Sequence, residues 1–187
     1  MIHYEPITID TSKMTIRRAK QSDAKDMFHH WSSSAAVTRY LSWTPHENVG
    51  ATELMLSLWR DGVREAKMTY WMCELKSIQK VIGSITLMMM NEKEAIGEVG
   101  FCYGESFWSQ GIATEVLNAL LKYAFELGYH AIICRTRREN VACIRVLEKC
   151  HMKYEKTVSV LWLKDHEHHE IDTYKITKKE FELSTPS

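Results

Sequence analysis

The sequence predicts one α/β (α+β) domain: a single mixed, mostly antiparallel twisted sheet of about seven strands, with a central parallel pair (strands near 98–104 and 131–136) and about four flanking helices. Three observations carry that prediction. A strand-like run, Glu98-Val99-Gly100-Phe101-Cys102-Tyr103, leads into an apolar run with helical spacing from Gly111, and that leads to a short β-rich run, Ala131-Ile132-Ile133-Cys134-Arg135-Thr136. A strand–helix–strand unit of this length implies parallel pairing through a right-handed crossover. The other β-rich runs are separated by short polar turns, the mark of antiparallel hairpins. The chain is 187 residues long and shows no internal repeat, low-complexity tract or Pro/Gly/Ser linker, so residues 1–187 are expected to form one domain with a core from about 14 to 181 and short tails.

In chain order, residues 1–13 read as a loosely tethered lead-in, and Met14 to Ala19 alternates as a first strand. Ser22-Asp23 reads as a helix cap before Ala24 to Phe28. Residues 37–46, aromatic and proline-containing but without a period, read as an ordered loop, and Asn48 to Arg60 as a second helix. Thr69–Leu75 and Val81–Met90 are strands around a polar turn at 76–80, and 91–94 is a second turn. From Gly111, the residues Ala113, Val116, Leu117, Leu120, Leu121, Ala124 and Phe125 recur at three- and four-residue steps, one broad apolar face that Gly128 stops. Asn140 opens a further helix. Tyr154–Leu163 and Glu170–Thr177 are closing strands around a tip at 164–169, and the tail from Leu183 is expected to fray.

Lysine plus arginine equals aspartate plus glutamate, 24 each, so no broad nucleic-acid or anionic-membrane surface is expected. No apolar run approaches the ~20 residues of a membrane span. The N-terminus Met1-Ile2-His3-Tyr4-Glu5-Pro6 lacks the basic start and apolar stretch of a signal peptide, so a cytoplasmic location is expected. The five cysteines contain no C-x-x-C pair, which argues against a zinc knuckle or redox motif. His166 and His168 would share a face of an extended strand, with Asp165 or Glu167 nearby; a solvated hairpin tip is the preferred reading, and no metal is expected.

The stretch Trp108-Ser109-Gln110-Gly111-Ile112-Ala113-Thr114-Glu115 joins a strand to a helix through small residues. The first-turn N–H groups of a helix have no internal partner and the dipole makes that end positive, so such a junction can hold a phosphate. It is neither a P-loop nor the G-x-G-x-x-G fingerprint. The stretch resembles the acetyl-CoA pyrophosphate loop of the GNAT acetyltransferases, and in particular the RimJ/RimL branch, whose form W-G-x-G-x-A-T-E it follows except that Ser109 replaces the first glycine. A second motif follows at the expected distance: Asn140 to Met152 is similar to N-x-x-S-x-R-V-L-E-K-x-G-F, with Cys143 for the serine and His151-Met152 for Gly-Phe. Histidine tolerates the left-handed angles that the missing glycine would have taken.

The resemblance implies a GNAT fold and an acetyl-CoA-dependent N-acetyltransferase. Acetyl transfer from a thioester to an amine needs a held pyrophosphate, an amine that loses a proton and a stabilised oxyanion. The resemblance implies that Trp108, Ser109, Gln110, Gly111, Ile112, Ala113 and Thr114 bind the cofactor. Backbone groups of Phe101, Cys102 and Tyr103 would serve the pantetheine arm, joined by Asn140 and Cys143. Glu98 is the candidate general base, with a strand-edge glutamate paired to a basic residue as the competing reading. Cys143, in place of the family's serine, is the candidate acid for the leaving thiolate, with a packing cysteine as the alternative and Tyr103 or Tyr154 as substitutes. Arg39, Tyr40 and Trp43 fall where the family lines its acceptor side. A protein N-terminal amine is the first acceptor, and a small amine such as a polyamine, aminoglycoside or amino-acid derivative the second. A non-catalytic acyl-CoA-binding sensor is the alternative of another class. The partners expected are acetyl-CoA and the amine, with no nucleic acid and no membrane, for a monomer or homodimer.

Overall fold

The structure describes residues 7–62 and 68–184 of a computed structural model, and eight strands form among them. They are β1 Ile9–Asp10, β2 Met14–Arg18, β3 Met68–Leu75, β4 Lys80–Asn91, β5 Ile96–Tyr103, β6 Ala131–Arg137, β7 Lys153–Trp162 and β8 Glu167–Thr177. They form one sheet in the order β1-β2-β3-β4-β5-β6-β8-β7. Every neighbouring pair is antiparallel except β5 and β6. The helices are α1 Ala24–Met27, α2 Ala35–Thr38, α3 Val49–Gly62, α4 Ile112–Glu126, α5 Val141–Lys149 and α6 Lys178–Ser184.

One face of the sheet is covered by α4. Val116, Leu117, Leu120, Leu121 and Ala124 are fully buried there, packed with Ile16, Cys73, Ile85, Val99 and Ile132. The apolar stripe at three- and four-residue spacing is therefore the face that docks. Gly128, at φ 104°, ends the helix as expected. The other face carries α1, the π-helical turn Phe28–Ser32 and α3, through Met27, Trp31 and Leu56 on Met72 and Val81.

Several local expectations are corrected. Residues 1–6 lie outside the described residues, but the lead-in is tied down after them: Ile9 pairs with Ile16, and the Trp71 indole donates to the Ile7 carbonyl at 3.0 Å. Asp23 does not cap a helix at its own position. Its carboxylate accepts from the Lys20 amide at 2.7 Å, one turn earlier, and pairs with Arg17 at 2.9 Å. Residues 37–46 are not loop throughout, because α2 occupies their start. The final hairpin is tighter than expected, with β8 beginning at Glu167, and Leu183 lies in α6 rather than in a frayed tail. Glu180 secures α6 by accepting from the Thr177 amide and hydroxyl and from Lys153.

The pairing of β5 with β6 positions the site. It runs only through Ile96–Ala131, Gly97–Ile132 and Glu98–Ile133, although β5 continues to Tyr103 and β6 to Arg137. Beyond Glu98 the two strands part, and the β6-facing edge of β5 opens onto a cleft.

Candidate active site

The cleft has a volume of about 410 Å³. Its first wall is the parted edge of β5, Phe101, Cys102 and Tyr103. Its second is the loop Phe107–Gly111 with the first turn of α4, and its third is α5 with Asn140, Ala142, Cys143, Arg145, Val146 and Lys149. Ala36, Val37, Tyr40 and Leu41, from α2 and the turn after it, close the remaining side. The structure thus brings together every residue assigned to the cofactor by resemblance: Phe101, Cys102, Tyr103, Trp108, Ser109, Gln110, Gly111, Ile112, Ala113, Thr114, Asn140 and Cys143. Tyr40 joins them, whereas Glu98, Arg39 and Trp43 do not line the cleft.

Local geometry explains the loop. Gly111 stands at the start of α4 with φ 78°, a left-handed angle that glycine takes without strain, and a Cβ placed there would meet no atom within 4 Å. Ser109 is also left-handed, at φ 59°, so the serine adopts the angle that glycine in the family form supplies freely. The Trp108 indole donates to the Tyr103 carbonyl at 2.7 Å and ties the loop to the end of β5. Glu115, the last residue of the motif, turns away from the cleft and accepts from the Lys13 amide and the Ser12 hydroxyl, both at 2.9 Å. Its role is to anchor the β1–β2 connection to the first turn of α4.

On the facing wall, the Asn140 side chain accepts from the Cys143 amide at 3.2 Å and caps α5. Arg145 and Lys149 place two cations on the cleft, a feature the motif reading missed. The signal was present: 142, 145, 146 and 149 fall at three- and four-residue spacing, one stripe of the helix. The open cradle at Gly111, the free first-turn amides of α4 and these two cations fit a diphosphate. His151 takes φ 60° after α5, in agreement with the expected tolerance.

The candidate proton carriers separate cleanly. Glu98 sits at the last paired position before β5 and β6 part, and the Arg135 guanidinium holds both its oxygens at 2.9 and 2.8 Å. The competing reading, a glutamate paired to a basic neighbour, therefore describes its contacts. Tyr103 presents its hydroxyl to the buried Cys73 thiol at 3.6 Å, and burial holds its pKa well above the ordinary value. Tyr154 bonds Thr157 at 2.8 Å and does not line the cleft, whereas Tyr103 lines it but turns its hydroxyl to Cys73. Cys143 does line the cleft. A hydrogen bond from the Cys134 thiol draws its pKa down, against the opposing effect of burial. Burial pushes Cys73 and Cys150 up to about 12 and Cys102 to about 11. Iodoacetamide should therefore label Cys143 at least about tenfold faster than the other cysteines. Saturating CoA should block that labelling in peptide mapping; indiscriminate labelling, or labelling that CoA leaves untouched, would contradict this assignment.

The histidine tip is an exposed hairpin turn, as preferred, but His166 and His168 do not share a strand face. His166 lies in the turn at φ 58°, and His168 bonds Ser159 from the start of β8. Asp165, Glu167 and His169 are the residues that converge, their ligand atoms within 4.8 Å of one another, and Asp165 already accepts from His169 at 2.8 Å.

The cleft thus lies between parted parallel strands and is faced by a helix start of the kind that can hold a phosphate. The sequence matches the Acetyltransferase (GNAT) domain over residues 13–153, and the chain belongs to that family. It is 26% identical over 149 residues to the uncharacterized N-acetyltransferase p20 of Bacillus licheniformis, covering 79% of this chain and 83% of that protein. Among solved structures, the GNAT-family acetyltransferase from Bacillus anthracis superposes with a TM-score of 0.81 at 22% identity, over 93% of this chain and all of the other. Mycobacterium smegmatis RimJ, solved with CoA-disulfide, superposes at 0.83 with 19% identity, over 94% of this chain and 89% of RimJ. These structures share the fold of this chain. No helix of the described residues is long and apolar enough to cross a membrane.

Proposed function

We propose that the chain moves an acetyl group from acetyl-CoA directly to a primary amine, with a protein N-terminal amine as the acceptor. The observation that carries this reading is the cleft itself, whose walls gather the two spaced motifs around the point where β5 leaves β6. Acetyl-CoA supplies an activated thioester. First-turn amides of α4, with Arg145 and Lys149, hold the diphosphate, and the unpaired edge of β5 offers backbone groups to the pantetheine arm and the thioester carbonyl. Direct attack needs no acyl-enzyme, because holding two reactants in one cleft supplies the proximity.

Glu98 stands at the fork and receives the amine proton through water, its carboxylate kept in place by Arg135. Cys143 lies on the opposite wall, in the first turn of α5, and donates to the departing thiolate. Tyr40 and Leu41 form the acceptor side.

Mixing the protein with acetyl-CoA and amine-terminated peptides, then following free thiol, tests the reaction. In the same assay Glu98→Gln should lower kcat at neutral pH by about 100-fold, the usual contribution of a positioned base. The loss should shrink as pH rises, because more of the amine is then already deprotonated. A variant that melts at lower temperature yet turns over at the parental rate would show that Glu98 only pairs with Arg135.

A further inference from the structure

Lys164 reaches from the tip of the β7–β8 hairpin to the last carbonyl of α2 and to one in the turn after it. Its ammonium donates to Thr38 at 2.6 Å and to Leu41 at 3.3 Å, across 126 and 123 positions of sequence. The Thr38 carbonyl also accepts from the Leu41 amide at 3.0 Å, so the lysine completes a turn whose outer residues, Tyr40 and Leu41, line the cleft. A helix end leaves carbonyls without intrahelical partners, and a cation is a good partner for them.

A second tie runs in parallel. The Arg137 guanidinium lies between two rings, 5.6 Å from the centroid of Tyr40 and 5.1 Å from that of Trp162. Trp162 packs edge-on to His169 at 5.5 Å, and His169 is held by Asp165. Arg137 also pairs with Glu139 at 3.3 Å. These two long-range ties act on the end of α2, whose start is held separately by Val37, packed with Trp31, Leu56 and Met72, and by the Ser34 hydroxyl donating to Glu105.

We infer that Lys164 is a positioning residue for the acceptor: it fixes Tyr40 and Leu41 against the cleft by clamping the end of α2 to the β7–β8 hairpin, while the cofactor walls stand without it. The functional half of this inference rests on the acetyltransferase reading, and the clamp itself does not.

The test compares the full-length protein with Lys164→Met, which keeps the stem and removes the donors, and Lys164→Arg, which restores them. Amide hydrogen exchange at Arg39 and Leu41 should quicken about tenfold or more in Lys164→Met, remain at the parental rate in α4, and return toward the parent in Lys164→Arg. With a tetrapeptide carrying a free N-terminal amine, KM for the peptide should rise about fivefold or more, while CoA affinity by calorimetry stays within about twofold. Unchanged exchange at Arg39 and Leu41, or an equal rise throughout α4, overturns the clamp. A parental KM in a variant with loosened exchange overturns the positioning role. Failure of the parent to acetylate any amine would count against the proposed function, and the exchange comparison would still decide the clamp.

Discussion

Gly111→Val should lower CoA affinity by at least about 100-fold, the largest functional effect expected of any single change in the loop. Two separable effects combine. The backbone there is left-handed at φ 78°, where a β-branched residue is strained by about 1–3 kcal/mol, so the loop and the start of α4 will shift to relieve it. The new side chain also stands in the open cradle, where the protein places no atom within 4 Å and where a diphosphate would approach the first-turn amides. Gly111→Ala carries the milder strain and the smaller side chain, and should lose about tenfold. Calorimetry with CoA on both variants, beside thermal melts, separates strain from occlusion. Parental affinity in Gly111→Val would remove the loop from the site.

Gly83→Val should be the most damaging change to the fold. A Cβ at that point of β4 would lie 2.3 Å from the Tyr103 ring and 2.5 Å from the Cys102 carbonyl, on the strand directly opposite. The ring is buried and the carbonyl is backbone, so neither can yield without moving β5. Overpacking of this kind costs about 3 kcal/mol or more, equivalent to roughly 6–12 °C of melting temperature in a chain of this size. Because Tyr103 also walls the cleft, CoA affinity should fall in the same variant even where it remains folded. A melt within about 2 °C of the parent would show that β4 and β5 are less closely packed than described.

Much of the cofactor half of this molecule was legible because its signals are local. The stripe from Val116 to Phe125 reads as a docking face from spacing alone, and Gly111 and Gly128 mark the ends of α4 with the angles that only they take easily. Asn140 was legible for the same reason, since a cap is a contact with a residue three positions on. The side of the cleft closed by α2, and the short edge strand β1, were not. α2 is too short to show a period, and β1 consists of two residues whose pairing depends on β2. Glu98 could be proposed as a base from its strand position, but its partner Arg135 lies 37 positions away on β6, and no local pattern links them. The Lys164 contacts are longer-range still. Arg145 and Lys149 are different: both stand in the second motif, and their four-residue spacing already puts them on one stripe of α5.

Ser109 and His151 share a property that reaches beyond their neighbours. Both hold left-handed backbone angles, 59° and 60°, where the related motifs carry glycine. A glycine chain wanders through many shapes before it folds, whereas a serine or histidine so placed has fewer shapes to surrender. Each bend therefore gives up less freedom when the chain folds, but it is held at an angle a side chain resists, and the neighbouring structure carries that strain.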